Sequence, residues 1–315
     1  MTTELSLVAD IGGTNTRLAL SAAGVVLHDT VRRFQNEGRQ LNDILDEYLA
    51  ECCPDTKPHS ACFALAGPIS GDTGRMTNLA WTIHAPEIAT RTSANRCILI
   101  NDLQAQGYAL PALAPDQLTP VLSAERDIRA PRLVVGLGTG YNAAFVLPIE
   151  SGVLVPAAEA GHASLPAHTA DGRKVVDWLL ANLGQAQVED ALSGTGFAHI
   201  HAALHGEKAT PPALLARCED GEAKALKTLE VAIELLGGVV GDLALIFLPR
   251  GGIYLTGGFG QALTPWLRQP HLQTVFHDAF AAKGKISAIM QDFALSVIGD
   301  DFAALEGCAL RVAQN

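Results

Sequence analysis

The chain has 315 residues, 48% of them hydrophobic, and a formal net charge of -11. This length and apolar content allow two cores, and the negative charge repels a phosphate backbone at long range, which argues against a nucleic-acid partner. The longest apolar run, Leu243 to Leu248, falls far short of the roughly 20 residues that span a bilayer, and the six cysteines lack paired metal-ligand spacing, so neither a membrane span nor a disulfide framework is expected.

Met1-Thr2-Thr3-Glu4 carries no basic leader segment and runs straight into the alternation Leu5, Leu7, Ala9, which predicts a strand and a cytoplasmic protein. A glycine turn follows, and Arg17 to Ser21 resumes an apolar run, so a second strand should fold back on the first. Leu41, Ile44, Leu45, Tyr48 and Leu49 recur at helical spacing, and Ala61 to Ala66 and Cys97 to Ile100 read as strands. This alternation predicts an α/β chain. Pro111 and Pro115 mark a crossover, which sets a domain boundary near residue 112. Beyond it, Leu133 to Leu137 opens a second strand group in which Val135, Gly140, Asn142 and Leu147 match Val8, Gly13, Asn15 and Leu20 without a gap. Lys174 to Ala181, Gly194 to His205 and Glu222 to Phe247 read as helices, Ile253 to Thr256 as a strand, and Phe302 to Val312 as a closing helix.

Three glycine turns sit at predicted strand ends. In the first, Asp10 can hold Mg²⁺ through water while the amides of the Gly12-Gly13-Thr14-Asn15 turn and the Thr14 hydroxyl approach phosphate oxygens. The same residues also make an ordinary hairpin turn. Neither a P-loop nor a Gly-x-Gly-x-x-Gly fingerprint is present at this turn. Gly138-Thr139-Gly140 offers similar backbone donors, and Gly257-Gly258 lets a nucleoside lie against the chain or simply turns a strand into a helix. Together the three turns point to a nucleotide held between two domains.

Asn101-Asp102 follows an apolar strand, where open α/β sheets place ligands. Asp102 can take the proton of a hydroxyl attacking a γ-phosphoryl group while Asn101 fixes neighbouring hydroxyls; the pair can equally cap a helix over Leu103 to Tyr108. Glu159, His162 and Glu189 supply the mixed donors and acceptors that a polyol needs. Glu159 and His162 have the spacing of a helical metal pair, but Gly161, Pro156 and Pro166 argue for a loop. His168, His199 and His201 lack a comparable carboxylate context and read as surface or helix histidines.

These segments, with Ala66-Gly67-Pro68-Ile69-Ser70-Gly71, Met76-Thr77-Asn78 and Leu192-Ser193-Gly194, make the chain resemble the bacterial glucokinase family along nearly its whole length. The resemblance implies the two-domain actin-like ATPase (ribonuclease H-like) fold with an interdomain cleft, a small α/β domain of residues 1–112 with 298–315, and a large α/β domain of 113–297. It implies ATP and Mg²⁺, glucose held by Asn101, Asp102, Glu159, His162 and Glu189 with Asp102 as base toward the 6-hydroxyl, and a homodimer. Zinc is not expected, because no cysteine-rich motif follows His162, and a transcriptional role is not expected, because the first predicted strand begins at Leu5. Another hexose or amino sugar, or a non-catalytic sugar-binding regulator, stays open. The chain departs from the family at Tyr141-Asn142, where a further glycine is usual, and at Ala158 and Ala160, which flank Glu159 where glycines are frequent. Added Cβ atoms there are expected to alter loop geometry and affinity.

Overall fold

The computed structural model describes residues 4–54, 57–299 and 303–314. They form two compact units, one of residues up to 114 with 149–157 and the chain's last helix, the other of 115–148 and 158–299.

Unit 1 is built on a hairpin. Strands β1 (Leu5–Ile11) and β2 (Asn15–Ala22) pair antiparallel, with Asp10 opposite Arg17 and Ile11 opposite Thr16. β3 (Val25–Val26) and β4 (Arg32–Gln35) extend β2. Helix α1 (Leu41–Cys52) lays Leu41, Ile44, Leu45 and Tyr48 on the sheet beside Leu7, Phe63 and Leu65. These positions follow the helical period and so form one apolar stripe. β5 (Ser60–Leu65) then joins β1 in parallel, buried along its entire length as a central parallel strand must be. A small antiparallel sheet of β6 (Ile69–Ser70), β7 (Thr73–Arg75) and β8 (Thr82–His84) leads through α2 (Ala85–Thr92) to β9 (Arg96–Asn101), parallel to β5, and α3 (Asp102–Ala109).

Two later segments complete the unit. Gln104 of α3 donates to the Val155 carbonyl at 2.7 Å, and Val153 and Val155 are buried. The closing helix, Ala303–Ala313, packs on α3 and on β1, where Cys308 Sγ contacts the Ala9 carbonyl. Phe302, expected to open this helix, lies outside the described residues.

In unit 2 the strand order is β10 (Leu118–Leu122), Leu295–Ile298, Ile253–Thr256, β11 (Arg132–Leu137) and β12 (Tyr141–Ile149). The inner strands run parallel, and β10 and β12 pair antiparallel to their neighbours. The helix Ala223–Phe247 is apolar almost all round and runs through the core. Sequence reading misses β10, because Pro120 breaks the strand pattern; the proline is tolerated since β10 pairs on one side only.

The two hairpins share a plan but not a register. Ile11 pairs with Thr16 across residues 12–15, whereas Leu137 pairs with Tyr141 across 138–140. The gapless match equates Val146 with Ala19, the partner of Val8, yet Val135 pairs with Ala143. A shorter second turn shifts every later position, so the matched residues are not spatial equivalents.

A Cβ added to Gly307 in the closing helix would overlap the carbonyl oxygen of Ala105 in α3. Gly307→Ala is therefore expected to lower the thermal midpoint by roughly 3–10 °C, measured by scanning calorimetry.

Candidate active site

In unit 1 the carboxyl ends of three adjacent parallel strands stand level: Ile11 pairs with Leu65, and Leu65 with Asn101. With about 4.8 Å between neighbouring strands, the first glycine turn and Asn101-Asp102 leave the same sheet edge roughly 10 Å apart. This is the edge at which parallel sheets bind ligands.

Asn36, 2% exposed, secures the turn. Its Nδ2 donates to the Gly12 carbonyl at 2.9 Å, its backbone N–H donates to the Thr14 carbonyl at 2.9 Å, and its Oδ1 accepts from the Thr16 hydroxyl at 2.8 Å. Gly12 N–H closes the turn on the Asn15 carbonyl at 2.9 Å. Asn15 in turn accepts from Arg33 Nε at 3.2 Å, and Gly13 lies against Asn78, where an added Cβ would stand 3.3 Å from that of the asparagine. Asp10 faces Arg17, 3.4 Å from Oδ2 to Nη1. Burial pushes the Asp10 pKa above the usual carboxylate value, and the Arg17 charge offsets this only in part.

Asn101 caps α3. Its Oδ1 accepts from Leu103 N–H at 2.9 Å, Gln104 Oε1 accepts from Asn101 N–H at 3.0 Å, and Asn101 Nδ2 donates to the Gly67 carbonyl at 3.4 Å. Asp102 is the first helical residue and accepts from Leu103 N–H at 2.8 Å. The helix N-terminus favours its negative charge. The capping reading of the pair therefore holds for Asn101, which fixes the helix start on which Asp102 stands.

Unit 2 ties its second glycine turn to the polyol-binding candidates. Gly138 N–H donates to the Gly140 carbonyl, and Gly194 N–H, at the start of the helix Gly194–His205, donates to the Gly138 carbonyl, both at 2.9 Å. Glu189 Oε2 accepts from Tyr141 N–H at 2.8 Å, and any side chain at Gly140 would run into that carboxylate. Glu159 precedes a 3-10 turn, Ala160–His162, so the loop expectation holds. Asn142 braces this loop, donating to the Ala158 carbonyl at 2.6 Å and accepting from Ala160 N–H at 2.9 Å. Asn142, Ala158 and Ala160 therefore touch one another: the asparagine holds the backbone on both sides of Glu159. His162 Nδ1 meets Gln187 Oε1 at 2.9 Å.

The third turn abuts the second. Gly136 pairs with Thr256, and Gly257 has φ 90 with a Cβ position occupied by the Leu137 carbonyl, so only glycine fits. Gly258 opens the helix Gly258–Leu267 with open space where a side chain would stand.

One histidine differs from expectation. His201 is fully buried, its Nδ1 lies 2.9 Å from Thr228 Oγ1, and its Nε2 lies 3.7 Å from Glu207 Oε2, so it does have a carboxylate neighbour. Burial lowers its pKa. Asn36 and Gln187 are supporting residues that sequence reading missed, each in a polar stretch that looks like solvated loop; Asn142 stands out in the sequence, but not as a brace for the Glu159 loop.

Removing the Asn36 amide would strand the partly buried Gly12 carbonyl and the buried Thr16 hydroxyl, so Asn36→Ala should lose about 1–3 kcal/mol of stability in urea unfolding and weaken phosphate-ligand binding.

A family model described as Glucokinase matches residues 7–315. The chain is similar to a curated glucokinase of Cupriavidus metallidurans, 30% identical over 98% of this chain and 93% of the other, and to one of Chromohalobacter salexigens, 34% identical over 91% and 90%. A crystal structure of glucokinase from an Antarctic psychrotroph superposes with TM-score 0.86 at 30% identity, covering 99% of each chain. Glucokinase of Balamuthia mandrillaris, solved with glucose, shares the fold at TM-score 0.79 and 21% identity over 99% of this chain and 94% of that one. The architecture is that of the actin-like ATPases, as in the hexokinase of the ROK family from Thermus thermophilus. By the full-length match and by the identity to curated relatives, this chain belongs to the glucokinase family.

Proposed function

We propose that the chain is an ATP-dependent glucokinase, transferring the γ-phosphoryl group of ATP to the 6-hydroxyl of D-glucose to give glucose 6-phosphate and ADP, the entry step of glycolysis. The observation that carries this reading is the common level of Ile11, Leu65 and Asn101, which puts a phosphate-type turn and a carboxylate on one sheet edge. Family membership supports the choice of glucose.

In this reading Asp102 accepts the 6-hydroxyl proton as the bond from that oxygen to the γ-phosphorus forms and the bond to ADP breaks. Asn101, Glu159, His162 and Glu189 hold the remaining hydroxyls. Asn101 keeps its oxygen on the helix cap, so its sugar contact uses the amide nitrogen. The turns Gly12-Gly13-Thr14-Asn15, Gly138-Thr139-Gly140 and Gly257-Gly258 cradle the nucleotide with backbone amides. Mg²⁺, when bound, balances phosphate charge; Asp10 would hold it through water. The residues fit such a role: one half-buried carboxylate at a strand end, with Arg17 beside only one of its oxygens at 3.4 Å, suits an ion that keeps most of its own water. The resemblance to the family also supports a homodimer and a cytoplasmic location, and no residue pattern here calls for zinc.

Asp102→Asn should lower kcat for glucose 6-phosphate formation at least ~100-fold with an unchanged melting temperature; full activity would remove Asp102 as the base. Asp10→Asn should raise the Mg²⁺ concentration needed for half-maximal rate by roughly tenfold or more. In an ADP-release assay over hexoses and amino sugars, glucose should give the highest kcat/KM. A better substrate would move the assignment to that sugar, and sugar binding without ATP turnover would make the protein a regulator.

A further inference from the structure

Gln187 stands two residues before Glu189 and faces His162. The 2.9 Å contact from His162 Nδ1 reaches the amide oxygen Oε1, and Gln185 Nε2 donates to that same oxygen at 3.4 Å, which marks it as the acceptor. An amide oxygen has no proton to give, so Nδ1 must carry one. Nε2 is then left as the other polar atom of the ring, a lone-pair acceptor while the imidazole is neutral.

Both ends of the contact are tied to backbone. Ser164 and Gln187 form an isolated β-bridge, Val188 N–H donates to the Ala163 carbonyl at 2.9 Å, and Gln187 N–H donates to Asp190 Oδ2 at 2.9 Å. The ring and the amide are therefore presented to each other by the fold.

We propose that Gln187 is a positioning residue for sugar binding: by accepting the Nδ1 proton it selects the tautomer and ring orientation in which His162 Nε2 accepts a hydrogen bond from a glucose hydroxyl. This rests on the reading of His162 as a sugar contact. The Gln187 bond and the nearby carboxylates of Glu189, Glu159 and Asp190 favour the imidazolium, against burial, and raise the His162 pKa above the usual histidine value. A protonated Nε2 donates instead of accepting. The acceptor role is therefore lost as pH falls through that raised value.

Nitrogen-15 NMR of the histidine rings in the full chain tests the tautomer, and steady-state kinetics tests its use. Above the His162 pKa, wild type should show a protonated Nδ1 and a bare Nε2, and Gln187→Leu should lose that preference. The same variant should raise KM for glucose roughly 3- to 10-fold, the worth of one misaligned neutral hydrogen bond, with kcat and KM for ATP within about twofold. Gln187→Glu keeps an acceptor and adds a charge, so it should preserve the tautomer and move the acid-side rise of KM for glucose to higher pH. In a His162→Ala background, Gln187→Leu should add nothing further. If His162→Ala leaves KM for glucose unchanged, the sugar contact fails and the inference falls with it. If His162→Ala raises KM but neither Gln187 variant changes the NMR pattern or KM, the inference alone is overturned.

Discussion

A turn that offers its amides to a ligand must have its carbonyls taken up elsewhere, since a buried polar group without a partner is costly. In this chain amide side chains do that work. Asn36 donates to the Gly12 carbonyl and, through its backbone N–H, to that of Thr14; Asn142 donates to the Ala158 carbonyl while accepting from Ala160 N–H; Asn101 donates to the Gly67 carbonyl while its oxygen caps α3. Asparagine suits the task because one short side chain both donates and accepts, so a single residue can fix two points of a loop. The glycine turns alone would leave the amide directions undetermined.

The same economy shapes the loop around Glu159. A glycine-rich loop is permissive and pays in conformational entropy, whereas alanines on either side of Glu159 restrict the loop and the Asn142 amide bonds to it directly. At Gly161 no such exchange is open, because a side chain there would meet the Tyr141 backbone carbonyl; at Gly140 it would displace the Glu189 carboxylate from its place beside Tyr141 N–H.

Much of the fold was legible because it depends on local periodicity. β1 shows the alternation Leu5, Leu7, Ala9, the centres of β5, β9 and β11 are apolar runs, α1 shows its stripe, and the glycine turns fall at strand ends. The candidate site was legible as residue types but not as support. Asn36 lies in Gln35-Asn36-Glu37-Gly38, which reads as an exposed turn, and Gln187 precedes a helix of only four residues, Val188–Ala191, at a cap position where glutamine is unusual. His201 lies on a helix as read, but its burial and its neighbours were not legible: Thr228 is 27 positions away on another helix, and Glu207 lies beyond the helix end. The hairpin match failed for a related reason: identities along a chain do not report turn length, and turn length sets register.

The closing helix Ala303–Ala313 carries a consequence for synthesis. Its Cys308 reaches Ala9 across 299 positions, and the same helix lies on α3. At roughly 5–20 residues per second, the opening strands leave the ribosome about 15–60 s before the segment that covers them. Throughout that interval the face of β1 that the helix will bury stays uncovered, and the whole of unit 2 is made before the covering helix emerges. A chaperone that shields the nascent opening sheet, or a slow codon shortly before this helix, would thus bear on the yield of native protein without touching any residue of the site.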